Sequence, residues 1–262
     1  MNNVTFAFLL TALAGLSTGI GSLLAFTAKK ENKSFLSLSL GFSAGVMIYV
    51  SMIEIFSKAE IALVSELGTK TGKWVTVISF FFGMGLIAII DQLIPHDANP
   101  HEVQSLDSET SNNNLKRMGI FTALAIGIHN FPEGLATFVS ALQSPNIAIP
   151  IFVAIALHNI PEGIAVSIPI YHATGSKKKA FIYSFLSGLS EPIGALIGYL
   201  VLMPFLSNTL FGIIFASVAG IMVFISLDEL LPTARSYGNH HLSLFGLISG
   251  MVMMAISILL FL

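Results

Sequence analysis

The sequence predicts an all-α polytopic membrane protein of eight transmembrane helices, in which helices 1–3 and 6–8 form an inverted repeat around helices 4 and 5. Composition indicates the membrane: 54% of the 262 residues are hydrophobic and 10% are charged, with a mean hydropathy of +0.84. A soluble domain carries about a quarter charged residues. Segment lengths predict the helix count, and similarity between the two ends of the chain predicts the repeat.

Eight apolar segments are long enough to cross a bilayer, which requires about 20 predominantly apolar residues. In chain order they cover residues 4–28, 35–57, 74–94, 117–142, 147–171, 180–204, 208–231 and 242–261. The first has no lysine or arginine before Lys29, so we expect a retained helix rather than a cleaved signal peptide. Short connections predict antiparallel neighbours. Residues 1–262 are therefore expected to form a single transmembrane domain.

One connection, residues 95–116, is long and polar, and its Ser/Asn-rich part predicts a flexible cytoplasmic loop. With loops 1, 3, 5 and 7 on one side, that side carries nine basic residues: Lys29, Lys30, Lys33, Lys116, Arg117, Lys177, Lys178, Lys179 and Arg235. The other side carries three, Lys58, Lys70 and Lys73. Because basic residues are enriched in cytoplasmic loops, we expect a multi-pass protein of the cell membrane with both termini outside the cytoplasm.

Two parts of the chain resemble each other at a distance of five helices. Residues 13–26 and 186–199 are identical at seven of fourteen positions. The next helix of each unit continues the match, pairing Ala44–Met47 with Ala219–Met222, Ser51 with Ser226, and Glu54 with Glu229. An odd offset reverses the direction of the chain, so the units are predicted to be inverted, an arrangement typical of alternating-access transporters. Chance similarity between Gly/Leu-rich helices is the alternative.

A hexapeptide occurs twice within apolar segments: HNFPEG at 129–134 and HNIPEG at 158–163. An ionised side chain in the middle of a membrane costs about 2.5 to 3.5 kcal/mol on insertion scales. Each pair of histidine and glutamate is therefore expected to be held by something positive, and a divalent metal ion is the simplest candidate. The alternative is a pair of proline-kinked helices whose polar residues bond one another across the bundle.

Helical spacing places the polar residues of each motif on one face. Glu133 lies about 40° from His129 and between that imidazole and the amide of Asn130, at about 100° per residue. His158, Asn159 and Glu162 repeat this arrangement. If the two faces turn toward each other, they present two imidazoles, two carboxylates and two amides. Imidazole together with carboxylate suits zinc, iron and related divalent ions. Pro132 and Pro161 predict irregular backbone, and Gly134 and Gly163 predict close approach of neighbouring helices.

Other polar residues are weaker candidates. Glu191 precedes Pro192 at the repeat position of Thr18, which favours a metal ligand over a packing group. Met47 offers a thioether, with ordinary core packing as the alternative. Two further sets of polar residues are candidates, one near the ends of helices and the other in the long loop. We expect Glu54, Asp228 and Glu229 to be entrance groups or merely solvated, and His96, Asp97, His101 and Glu102 to catch departing metal or to be incidental.

These features together resemble the ZIP (Zrt/Irt-like) family of divalent-metal transporters, and the doubled HNxPEG, the loop start PHDANPH and SEPIG on helix 6 resemble its ZupT-like subgroup. The resemblance implies uptake of zinc into the cytoplasm, with iron, manganese and cobalt as open alternatives, through a two-metal site near the membrane midplane. It implies one site formed by His129, Glu133, His158 and Glu162. It implies a second formed by Asn130, Glu133, Asn159, Glu162 and Glu191.

The main alternative function is a membrane-embedded metal-dependent hydrolase. Zinc proteases carry HExxH, whereas Asn follows each histidine here and no general base stands apart from the ligands. We therefore predict a transporter with no catalytic residues and no catalytic cofactor. A metal exporter has similar ligands, so only the resemblance indicates the direction of transport. The predicted partners are divalent metal ions and the lipid bilayer; nucleic acid is not expected, and a homodimer is compatible with the sequence.

Overall fold

The computed structural model describes residues 3–25, 33–92, 112–143, 145–205, 207–237 and 240–260. All regular secondary structure within these ranges is helical, which confirms the all-α prediction. The α-helices are α1 Asn3–Ala25, α2 Lys33–Tyr49, α3 Phe56–Leu67, α4 Thr69–Gln92, α5 Asn112–Gln143, α6 Pro145–Thr174, α7 Lys177–Gly188, α8 Ser190–Ile197, α9 Asn208–Ile225, α10 Leu231–Tyr237 and α11 His240–Leu260. Three π-helical segments, Val50–Ile55, Gly198–Leu202 and Ser226–Leu230, and a short 3₁₀ turn at Met203–Phe205 interrupt this series.

Six helical stretches of the described chain are long and apolar enough to cross a membrane. They cover Asn3–Leu23, Ser37–Leu67, Thr69–Gln92, Lys177–Val201, Asn208–Ser236 and His240–Leu259. Two more long helices, α5 with 32 residues and α6 with 30, lie between the third and fourth of these. At about 1.5 Å per residue, a helix of 30 residues extends about 45 Å.

The second span is longer than predicted, and its connection to the third is much shorter. Residues 58–73 were expected to form a loop, but α3 continues the second span to Leu67 and α4 begins at Thr69. Gly68, with a φ of +77°, makes the whole turn, a conformation that glycine adopts without strain. The charges of this region lie along helices, where Lys58 pairs with Glu54 at 3.5 Å.

Two further helix boundaries differ from prediction, and so does the backbone at the prolines of the motifs. The seventh span continues past 231 through α10 to Tyr237. The helix predicted to begin at 117 begins at Asn112, so the last five residues of the predicted 95–116 loop are helical. The remainder of that loop, with His96, Asp97, His101 and Glu102, lies outside the described residues. Helices α5 and α6 run unbroken through both prolines of the motifs, so the irregular backbone expected there is absent.

The helices form an inner group and an outer set, which meet where α2 packs against α6. Helix α1 packs against α5, α6 and α7, and α5 also packs against α8. Outside this group, α2 packs against α11, and α4 packs against α9 and α3. Glycines permit the close outer contacts, because a Cβ at Gly45 or Gly220 would overlap the carbonyl oxygen of Leu247 or Phe80. Met47 is fully buried in the main hydrophobic core. The inner group, α1 with α5 to α8, carries both hexapeptide motifs.

Candidate functional site

The two motifs lie on helices that pack directly against each other, α5 and α6. Asn130 and Glu133 of α5 are fully buried, as are Asn159 and Glu162 of α6. Burying one ionised carboxylate is costly without compensation, and here two are buried on neighbouring helices. The backbones of His129 and His158 belong to α5 and α6, but their side chains lie outside the described part of the structure.

The glycine that ends each motif brings a further helix against it. A Cβ at Gly134 would overlap the backbone carbonyl of Glu191 on α8. A Cβ at Gly163 would likewise overlap the carbonyl oxygen of Thr18 on α1. Small residues allow such approach between membrane helices. The first motif is therefore in backbone contact with α8, and the second with α1.

Glu191 lies in the first turn of α8 and is fully buried. Its Oε1 accepts a hydrogen bond from Nδ2 of Asn159, and the same Nδ2 donates to the carbonyl oxygen of Ala14 at 3.0 Å. Leu189, two residues before Glu191, separates α7 from α8. The structure thus brings together Glu191 and Asn159, two predicted ligands that are 32 residues apart.

Each asparagine of the motifs uses its amide nitrogen in a hydrogen bond, while its amide oxygen accepts none from the described residues. Nδ2 of Asn130 donates to the carbonyl oxygen of Ser187 at 3.5 Å, as Nδ2 of Asn159 does to Ala14. The Oδ1 atoms of both side chains are buried and accept no hydrogen bond from the described residues. A buried polar atom left unsatisfied costs about 1–3 kcal/mol. A cation would remove this cost, because amide oxygens are suitable ligands for hard divalent ions.

Three carboxylates, Glu133, Glu162 and Glu191, are completely buried within this helix group. A divalent cation would offset their negative charge and use their oxygens as ligands. Among the described side chains, which omit those of His129 and His158, no group of three or more His, Asp or Glu is close enough to hold a metal ion. The described part of the centre is therefore the asparagine and glutamate framework, closed by the Asn159–Glu191 hydrogen bond.

Two residues near the motifs were not singled out by the sequence. Ser184 of α7 is buried, and its hydroxyl lies 3.2 Å from the carbonyl oxygen of Thr18 and 3.3 Å from that of Gly163. It thereby links α7, α1 and α6 behind the second motif. Nothing distinguishes this serine in the sequence. Thr18 could have been found, because it occupies the repeat position of Glu191.

The structure also places several other polar residues of the membrane helices. Three serines donate to carbonyl oxygens of their own helical stretch and not to a neighbouring helix: Ser17, Ser190 and Ser226. Ser/Thr side chains commonly bond in this way within helices. Glu54 lies in the π-helical segment Val50–Ile55, where it pairs with Lys58. The side chain of Glu229 lies outside the described residues.

Comparison with known proteins places the chain in a family context. A family model described as ZIP Zinc transporter matches residues 94–258. The chain is 67% identical over 256 residues to the zinc transporter ZupT of Streptococcus mutans serotype c, covering 97% of each chain. It is 62% identical over 278 aligned residues to the ZupT of Clostridium perfringens, covering 100% of this chain and 98% of that one. It is 61% identical over 266 residues to the ZupT of Oceanobacillus iheyensis, covering 99% of each.

Proposed function

This chain belongs to the ZIP zinc transporter family, and we propose that it carries zinc across the membrane at the buried centre formed by α5, α6 and α8. It is a transporter and not an enzyme, as predicted, and the membrane-embedded hydrolase finds no support among its relatives. The observation that carries the proposed location is the Asn159–Glu191 hydrogen bond beside buried, unused amide oxygens. The proposed direction of zinc transport is into the cytoplasm.

Uptake of radioactive zinc into cells and proteoliposomes tests this function directly. Competition by iron, manganese and cobalt ions then ranks the other proposed substrates. Net export of zinc from loaded vesicles, without uptake, would contradict the proposed direction.

The proposed centre holds two ions that share carboxylates. One site uses His129, Glu133, His158 and Glu162, and its imidazoles suit zinc. The other uses Glu191 and the amides of Asn130 and Asn159, with Glu133 and Glu162 shared between the sites. Its ligands are all oxygen atoms, which makes it the harder site and better suited to manganese or iron. Support comes from the complete burial of the three carboxylates and both amides.

The proposed scaffold has eight spans, with α5 and α6 as the fourth and fifth. It also has an inverted repeat, which is supported by matched contacts in the inner group. Corresponding positions are 29 residues apart between the two motifs and 173 apart between α1 and α7–α8. With these offsets three contacts pair up: Gly163–Thr18 with Gly134–Glu191, Asn159–Ala14 with Asn130–Ser187, and Gly21–Ile160 with Gly194–Phe131.

The outer helices support the same relation. The close contact of Gly45 with Leu247 corresponds to that of Gly220 with Phe80. The π-helical segments Val50–Ile55 and Ser226–Leu230 overlap in repeat position, since the first begins one residue before Ser51 and the second begins at the matched Ser226. Alternating-access transporters are commonly built from two inverted repeats related by a pseudo-two-fold axis in the membrane plane, with the binding site near the midplane. Exposed apolar faces on α4 and α11 then meet lipid, or a second copy in a homodimer.

Replacing Glu191 by alanine should remove the oxygen-rich site and leave the histidine-bearing one. Purified wild-type protein is expected to bind two zinc ions and the Glu191→Ala variant one, as measured by calorimetric titration. Manganese competition should weaken in the variant while part of the zinc flux remains, because the imidazole ligands are intact. Equal stoichiometry and unchanged ion preference in the two proteins would rule out the two-site centre.

The orientation proposed from the basic residues has both termini outside the cytoplasm. The chain contains no cysteine, so single cysteines at Asn3 and Ser176 give unambiguous labelling sites. A membrane-impermeant thiol reagent applied to intact cells should label the variant Asn3→Cys and spare Ser176→Cys until the cells are lysed. Labelling at position 176 but not at position 3 would reverse the proposed orientation.

A further inference from the structure

The two sides of the proposed centre differ at one position. The repeat relation that places Asn159–Ala14 opposite Asn130–Ser187 also places Thr18 opposite Glu191. On one side, Asn159 donates to the carboxylate of Glu191. On the other side, a threonine occupies the place where the pseudo-two-fold axis would put a second carboxylate. The backbone contacts of the two sides correspond, whereas the side chains at position 18 and position 191 differ.

Thr18 also differs from the other buried threonines of the described chain. Three of them, Thr11, Thr76 and Thr137, donate to the carbonyl oxygen four residues earlier on the same helix, at 2.8 to 3.0 Å. That bond is the usual way for a helical threonine to satisfy its hydroxyl. Thr18 is fully buried, yet its Oγ1 has no hydrogen-bond partner among the described residues. With respect to the described residues, its hydroxyl is therefore available to a ligand.

We propose that Thr18 is a specificity-determining residue of the oxygen-rich site, with its hydroxyl on the flank opposite Glu191. This inference rests on the proposed two-site centre and its two-fold relation. A hydroxyl is a neutral, hard oxygen ligand, whereas a carboxylate at the same place would add a negative charge to a site that already has three. Transport requires an ion to leave as well as to bind. A threonine opposite Glu191 thus favours hard ions and keeps their release possible.

The first test removes the hydroxyl and keeps the shape of the side chain. Thr18→Val should lower manganese affinity by about tenfold, the size expected for one polar contact to a charged group. Zinc binding at the histidine-bearing site should stay unchanged. Thr11→Val is the matched control, since Thr11 lies two turns earlier on α1, is equally buried, and bonds its own helix. Equal manganese affinity in the Thr18→Val and Thr11→Val variants would overturn the proposal.

The second test moves the carboxylate across the centre. Glu191→Thr should bind one zinc ion, and the double variant Thr18→Glu/Glu191→Thr should regain the second, because the two-fold relation makes the flanks equivalent. A double variant that elutes like the wild type and still binds one ion would contradict the role of position 18 while leaving the two-site centre intact. Two ions bound by Glu191→Thr itself would instead remove the two-site centre, and the proposal with it. If the double variant does not fold, the comparison of Thr18→Val with Thr11→Val tests the proposal.

Discussion

Replacing Glu133 or Glu162 by alanine is expected to abolish zinc transport. Both carboxylates are completely buried, one on each of the packed helices α5 and α6, and each serves both ions of the proposed centre. Loss of a partner that merely orients a metal ligand lowers metal affinity by about 10- to 100-fold, so losing a ligand shared by two sites should lower it by more than about 100-fold. Radioactive zinc uptake into proteoliposomes, normalised to the amount of inserted protein, measures the effect.

The control for these variants is Glu66→Ala. Glu66 is an exposed glutamate at the end of α3 that accepts a hydrogen bond from Asn208 at 2.7 Å, away from the motifs. Its removal should leave uptake within about twofold, since surface substitutions generally have small effects. Glu133→Gln adds a second comparison, because it keeps the size of the side chain and removes its charge. Wild-type uptake by the Glu133→Ala variant would show that the ion path bypasses the motifs.

The residues of the proposed centre could be named from the sequence because short-range spacing brings the polar groups of each motif together. A histidine, an asparagine and a glutamate within five residues share a helical face whatever surrounds them. The repetition of the motif made a structural coincidence improbable. Glu191 was predicted as a ligand from its repeat position and its neighbouring proline. Its hydrogen bond to Asn159 required the structure, because the bond depends on how α6 and α8 pack.

The connection between the second and third spans was predicted wrongly for a definable reason. Its lysines and glutamates lower the average hydropathy of the segment to that of a polar loop. On helix α3 these charges alternate with Ala59 and Leu63, which are buried, and the polar groups pair along and between helices, as Lys73 does with Glu60 at 3.4 Å. An amphipathic end to a membrane helix has low average hydropathy, so a span defined by hydropathy ends too early.

The prolines of the motifs show a second limit. Proline removes a hydrogen bond and clashes within an isolated helix, which predicted irregular backbone at Pro132 and Pro161. Both helices continue through them, since packing against neighbouring helices can accommodate the lost bond in a membrane protein. The α-helices are instead interrupted at Leu189, ahead of Pro192, and at three π-helical segments. Propensity identifies where a helix can break, and tertiary packing decides whether it does.

Gly134→Ala should displace Glu191 from the centre, although alanine normally stabilises a helix. The substitution gains about 1 kcal/mol of helix propensity. However, its Cβ would overlap the backbone carbonyl of Glu191, and inserting an atom into such packing costs about 1–3 kcal/mol. The overlapping group is backbone, so α8 itself must move. We therefore expect loss of the second zinc ion and a lower melting temperature, measured by calorimetric titration and thermal unfolding in detergent.

Gly127→Ala on the same helix separates this effect from helix propensity. Among the described atoms, a Cβ at Gly127 would have the Cα of Ser187 as its nearest neighbour, at 3.9 Å, which is ordinary contact. Both variants gain the same propensity, so only Gly134→Ala should lose zinc stoichiometry, and Gly127→Ala should melt at or above the wild-type temperature. Equal melting temperatures and full zinc binding in both variants would mean that α8 does not need its close contact with the first motif. In that case, the position of Glu191 would depend on its hydrogen bond to Asn159 rather than on the glycine.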